Sequence, residues 1–154
     1  MSKDSKVNEW GVLRFGFHLL KTWSSTQNVI ALSSGEAVYY GLVKGVSQGL
    51  GVKAMMAELG VEAGIIVKTD ASAAKGIALR RGMGKVRHIE VNQLWVQDKV
   101  AKGIVKIQKI STTENLADHL TKYLSQEGIL EHMYGTGQWI EEGRHHLMPN
   151  VANN

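Results

Sequence analysis

Three acids stand where a helix is expected to begin. Asp70 closes the apolar run Ile65-Ile66-Val67-Lys68-Thr69 and is followed at once by Ala71-Ser72-Ala73-Ala74-Lys75. Glu36 follows Ser33-Ser34-Gly35, and Asp118 follows Asn115-Leu116-Ala117. A carboxylate at the carboxyl end of a strand is where α/β proteins keep their chemistry. Grouped carboxylates supply the hard oxygens that hold divalent ions while leaving positions for a phosphodiester and a water. The pattern therefore suggests a metal site for phosphodiester hydrolysis. Each acid has a competing explanation, since an Asp or Glu in a first turn caps backbone N–H groups and complements the helix dipole. For Glu36 that alternative is strongest, because Ser33-Ser34-Gly35-Glu36 has the S-x-x-E form of a capping box.

A second candidate feature is the connection Arg80-Arg81-Gly82-Met83-Gly84-Lys85-Val86-Arg87-His88. Its cations could grip phosphates, and its glycines would let the backbone approach a duplex closely. The alternative is a solvated, mobile connector. His88 could orient a substrate or assist proton transfer, or simply cap a helix. His119 and His132 lack partners at any recognisable ligand spacing, and the paired His145-His146 near the end have no accompanying ligand set, so no zinc site is expected. The four tryptophans fit packing better than base stacking, because no basic-aromatic interleaving surrounds them.

The elements that must position these residues are legible from periodicity. Gly11 to Phe15 and His18 to Trp23 read as a hairpin about Gly16-Phe17, with Val29 to Leu32 prolonging its second strand. A long helix runs from Ser33 to Gly60. Strand Ile65 to Thr69 and helix Ala71 to Leu79 precede the basic connection. A helix is expected from Ile89 to Val100, the clearest alternating strand over Ile104 to Ile110, and a last helix from about Asn115 to Met133. These make an α/β domain over residues 11–134, a mixed sheet flanked by helices, between a polar segment 1–10 and a loosely ordered tail 135–154.

Composition narrows the class. The 154 residues with 44% hydrophobic content suffice for one core, and the absence of cysteine removes disulfides and thiolate chemistry. The formal charge of +4 weakly favours a polyanionic partner. No apolar stretch reaches the roughly 20 residues of a membrane span, so a soluble protein is expected.

Taken in order, LSSGEAVYYGL, KTDASAAKGIA, GKVRHIEVNQLWVQDKV and ENLADHLTKYL resemble the RNase H domain of copia-type retrotransposon Pol polyproteins, over roughly Gly11 to Leu124. The resemblance implies an RNase H-like fold and cleavage of the RNA strand of an RNA–DNA hybrid with Mg2+ or Mn2+. It places catalytic, metal-binding aspartates at Asp70 and Asp118, and the basic residues Arg80, Arg81, Lys85 and Arg87, with His88, against nucleic acid. The reverse transcriptase portion of the same polyprotein is an implied partner, and a cytoplasmic particle with nuclear traffic the implied location.

Two departures lead to an expectation of impaired catalysis. The family's pattern SSxEAEY carries its ligand glutamate where this chain has Val38. Glu36, two residues earlier, lies roughly 200° away around a helix and is a weak substitute as a metal ligand. The family's opening strand, central in its sheet and carrying the first catalytic aspartate, has no counterpart here, so the domain is expected to be N-terminally truncated. Its absence would expose backbone groups, leaving the hairpin to close on the Asp70 strand, another chain to fill the gap, or the domain marginally stable. The alternative function is a non-catalytic nucleic-acid-binding or protein-interaction remnant.

Overall fold

Gly16 takes φ +59°, a left-handed conformation that glycine adopts at little cost, and reverses the chain between β1 (Asn8–Phe15) and β2 (His18–Thr26). The computed structural model describes residues 8–27, 30–82, 84, 89, 93–121, 123–140 and 143. The two strands pair antiparallel, Trp10 opposite Ser24, with an irregularity between Leu13 and Arg14. The expected extension of β2 over Val29 to Leu32 is not formed at Ile30 to Leu32, and Val29 lies outside the described residues.

Helix α1 (Ser34–Glu58) starts and stops for the reasons its sequence offers. Ser33 is extended and its hydroxyl accepts from the Glu36 N–H at 3.2 Å, while Gly60 leaves the helix at φ +77°. Its apolar side chains Tyr39, Tyr40, Leu42, Val43 and Val46 are buried and make the centre of the core. Tyr39 and Val46 are fully enclosed.

Strand β3 (Ile65–Thr69) alternates, with Ile65, Val67 and Thr69 more buried than Ile66 and Lys68. It pairs in parallel with β4 (Val105–Lys109), Ile65 opposite Val105. Parallel neighbours need a crossover. Helices α2 (Ser72–Leu79) and α3 (Trp95–Ala101) lie within it and add Ala74, Ile77, Ala78 and Val96 to the core.

The described residues form an α/β structure, four helices with two small sheets. Beyond the unformed extension of β2, it departs from expectation in three places. First, the single mixed sheet is not made among the described residues: β1 and β3 each pack on α1, yet their edges exchange no backbone hydrogen bonds, so the hairpin has not closed on the Asp70 strand. Second, of the helix expected from Ile89 the described part is Trp95–Ala101, Ile89 itself lies at a bend with its side chain buried in the core, and residues 90–92 lie outside the described residues. Third, the helix expected from about Asn115 to Met133 is replaced by a 3-10 turn, Asp118–Thr121, and the separate helix α4 (Gln126–Gly135), with another 3-10 turn, Thr112–Glu114, just upstream. Local capping explains the break. Asn115 accepts from the Ala117 N–H through its side chain at 3.2 Å, and Ser125 restarts a helix by accepting from the Gly128 N–H at 3.2 Å.

Residues 135–138, the start of the expected tail, form a turn seated on the hairpin. Arg14 donates to the Gly135 carbonyl at 2.5 Å, and Thr136 is fully buried, its hydroxyl bonded to the His132 and Met133 carbonyls.

Candidate carboxylate and nucleic-acid site

The three acids meet different fates. Glu36 is buried, and its carboxylate accepts from the Leu32 N–H at 2.9 Å, one residue before the Ser33 cap, so this acid braces the start of α1 although the capping box itself is not closed on Ser33. Its first turn nevertheless lies beside that of α2: a Cβ on Gly35 would stand 2.9 Å from the Ala73 Cβ. Asp70 is half-buried immediately after β3, although the alternation of that strand would place it on the more exposed face with Ile66 and Lys68. The adjoining backbone is fixed by Thr69, whose hydroxyl accepts from the Ala71 N–H at 3.2 Å and whose carbonyl accepts from the Ile110 N–H at 3.0 Å. Lys109, at the end of β4, reaches across to the Ser72 hydroxyl.

Asp118 opens the 3-10 turn that replaces the expected helix start. Its carbonyl and its carboxylate both accept from the Thr121 hydroxyl, at 2.7 and 3.3 Å. Among the described residues, no three histidine, aspartate or glutamate side chains come together to hold a metal ion. With Glu36 committed to Leu32 and Val38 a partly exposed apolar side chain on α1, the described donors do not fit a magnesium centre.

The basic connection is better ordered at its start than its composition suggests. The last carbonyls of a helix lack intrahelical partners, and Gln97 on α3 supplies one for α2 by donating to the Ile77 carbonyl at 2.8 Å. The same amide closes on Gly82, accepting from its N–H at 2.8 Å and donating to its carbonyl at 3.1 Å. Gln97 is buried and its bond to Ile77 is shielded from water, while the two to Gly82 lie at the surface edge. This anchor was missed because a glutamine inside a helix pattern carries no spacing signal.

Arg80, half-buried where α2 ends, turns its Nε and Nη2 inward, where they meet no acceptor among the described residues. Gly84, at φ +57°, lies against that guanidinium. Arg81 and Gly82 are exposed. Lys85, Arg87 and His88 lie outside the described residues.

Tyr39 sits under this corner and donates to the Gln93 carbonyl at 2.9 Å. Burial pushes its phenol up to about 12; Arg80 works against that shift and Tyr40 adds to it. A separate cleft of about 360 Å³ lies between the hairpin and α1, with Glu9 and Lys44 paired on its wall and Trp95 at its edge. It includes none of the three acids.

Comparison with known proteins gives one consistent answer. A retrovirus-related Pol polyprotein from transposon TNT 1-94 of Nicotiana tabacum is 32% identical over 123 residues, which is 77% of this chain and 9% of that protein. The chain is similar to a segment of plant retrotransposon Pol polyproteins. The Pol polyprotein from transposon RE1 of Arabidopsis thaliana repeats the match at 27% identity over 128 residues, 80% of the chain and 9% of the relative. The chain thus spans about a tenth of the length of these curated relatives. No protein-family model and no solved structure matches it. No helix among the described residues is long and apolar enough to cross a membrane.

Proposed function

We propose that this chain is the RNase H-like segment of a copia-type Pol polyprotein, retaining a surface for an RNA–DNA hybrid but not the metal centre needed to cut it. The observation that carries this reading is the pairing of an anchored basic corner with a dismantled carboxylate set. Gln97 fixes Gly82 beside Arg80 and Arg81, while Glu36 is spent on bracing the start of α1. The similarity to plant retrotransposon Pol polyproteins supports the lineage, and the ordered motifs containing Asp70 and Asp118 support the domain.

In this reading Arg80, Arg81, Lys85 and Arg87 neutralise backbone phosphates, and His88 sits at the same edge. Asp70 and Asp118 are the surviving ancestral ligands for Mg2+ or Mn2+, too few to align a water and a leaving oxygen. The reverse transcriptase portion of the same polyprotein is the proposed protein partner, in a cytoplasmic particle with nuclear access.

The test incubates the full chain with a labelled RNA–DNA hybrid in magnesium and then manganese, beside an Asp70→Asn control. The expected result is binding that weakens steeply as salt rises, with no loss of the RNA strand. Cleavage that disappears in the control overturns the inactive reading. Absence of any salt-sensitive binding overturns the nucleic-acid reading and leaves a protein-interaction remnant.

A further inference from the structure

His119 and His132 are thirteen positions apart and lie on separate elements, the Asp118–Thr121 turn and α4. The fold brings their rings to a centroid separation of 5.6 Å at an interplanar angle of 58°. The rings are therefore tilted and not stacked face to face. The Nδ1 atom of each is buried and meets no hydrogen-bond partner among the described residues. Two unmatched imidazole nitrogens at one place are costly, because a buried polar atom forfeits its water contacts without recovering them.

The spacing has a simple chemical interpretation. A zinc–imidazole bond is about 2.0–2.1 Å, which puts the ring centroid about 3.2 Å from the metal. Two such rings at a tetrahedral to trigonal angle would have centroids about 5.2–5.5 Å apart, close to the separation seen here.

We propose that His119 and His132 form a two-imidazole site for a borderline divalent ion of the zinc class, bridging the Asp118–Thr121 turn to α4. Imidazole selects zinc, nickel or copper over magnesium, so the site is chemically separate from any carboxylate centre. No third histidine or acid joins the pair among the described residues, so water completes the coordination and the affinity is modest. The ion would tie together two elements that otherwise meet at the edge of the core, and would fix the turn that carries Asp118.

The experiment titrates Zn2+ into the chelator-treated full chain and follows the thermal midpoint, with Co2+ absorption as a second readout. The background carries His145→Ala and His146→Ala, so that the tail histidines contribute nothing. Zn2+ should raise the midpoint in that background, Co2+ should give a visible ligand-field band, and millimolar Mg2+ should do neither. His119→Gln and His132→Gln should each weaken binding at least tenfold while circular dichroism stays that of the folded chain. Binding that vanishes in the tail-histidine background, or that survives in both glutamine variants, overturns the proposal. If either glutamine variant fails to fold, Zn2+ titration of the background protein followed by its imidazole NMR signals decides: shifts at both His119 and His132 support the site, and no shift at either overturns it.

Discussion

Replacing Gln97 with alanine should loosen the basic corner without touching any cation. In the folded chain this amide makes three hydrogen bonds, one to Ile77 and two to Gly82, from a buried position. Each such bond is worth about 1 kcal/mol net, and partners left dry cost about as much again. Gly82 is exposed and can recover bonds to water, whereas the Ile77 carbonyl is buried with its residue. The expected loss is therefore about 2–3 kcal/mol, which for a chain of this size lowers the thermal midpoint by about 5–10 °C. Gln97→Glu separates the terms, since a carboxylate still accepts from the Gly82 N–H but cannot donate to the two carbonyls. It should fall between the wild type and the alanine variant below the pH at which Glu ionises, and below alanine above it, because a buried carboxylate then faces the Ile77 and Gly82 carbonyl oxygens. Thermal denaturation with hybrid binding at two salt concentrations measures both consequences. A midpoint within 1–2 °C of wild type, about what a surface change of half a kcal/mol gives, together with unchanged affinity, refutes the claim that Gln97 organises this corner.

Other outcomes follow from the same geometry. Tyr39, raised to about 12, ionises above the ordinary tyrosine value, so the stability it lends is complete below pH about 10 and is lost as pH climbs from about 10 toward 12. Phenolate absorbance should show a late step that Tyr39→Phe removes. Gly137→Ala should destabilise by more than about 1 kcal/mol, because glycine there has φ +75° and an added Cβ would lie 2.0 Å from the Phe17 carbonyl oxygen; urea unfolding measures it. Arg81→Ala should reduce the slope of log affinity against log salt by about one, with no change in the thermal midpoint.

The parts of the fold governed by short-range patterning were readable before any coordinates. The apolar run Ile65–Thr69 and the alternation over Val105–Lys109 mark strands because each has one face on the core. Ser33 and Gly60 bracket α1 because capping and left-handed exit are local chemistry. The last helix was misjudged because Ser125 competes with Asn115 as a starting cap, and the backbone satisfied both. Neither Gln97 nor the His119–His132 pair could be found by spacing, since each acts across elements that tertiary packing alone brings together. Glu36 and Asp70 stand at the expected element ends, whereas Asp118 opens a 3-10 turn in place of the expected helix start, and the roles of all three depend on partners. Only the coordinates reveal that the Glu36 carboxylate turns back to Leu32.

The two sheets share no ladder, and side-chain packing on α1 couples them. Glu9 of the hairpin lies near Gly41, and Ile65 of the parallel pair lies near Gly49, two turns further along the same helix. The helix therefore works as a torsion bar between two otherwise independent bodies. Hydrogen exchange in the native state should divide along that line, with the β1 and β2 amides opening as one unit and those of β3 and β4 as another. Strain applied at the hairpin reaches the strand that carries Asp70 through rotation or bending of α1, so a bulkier residue at Gly49 would disturb that strand's end without altering any residue in it.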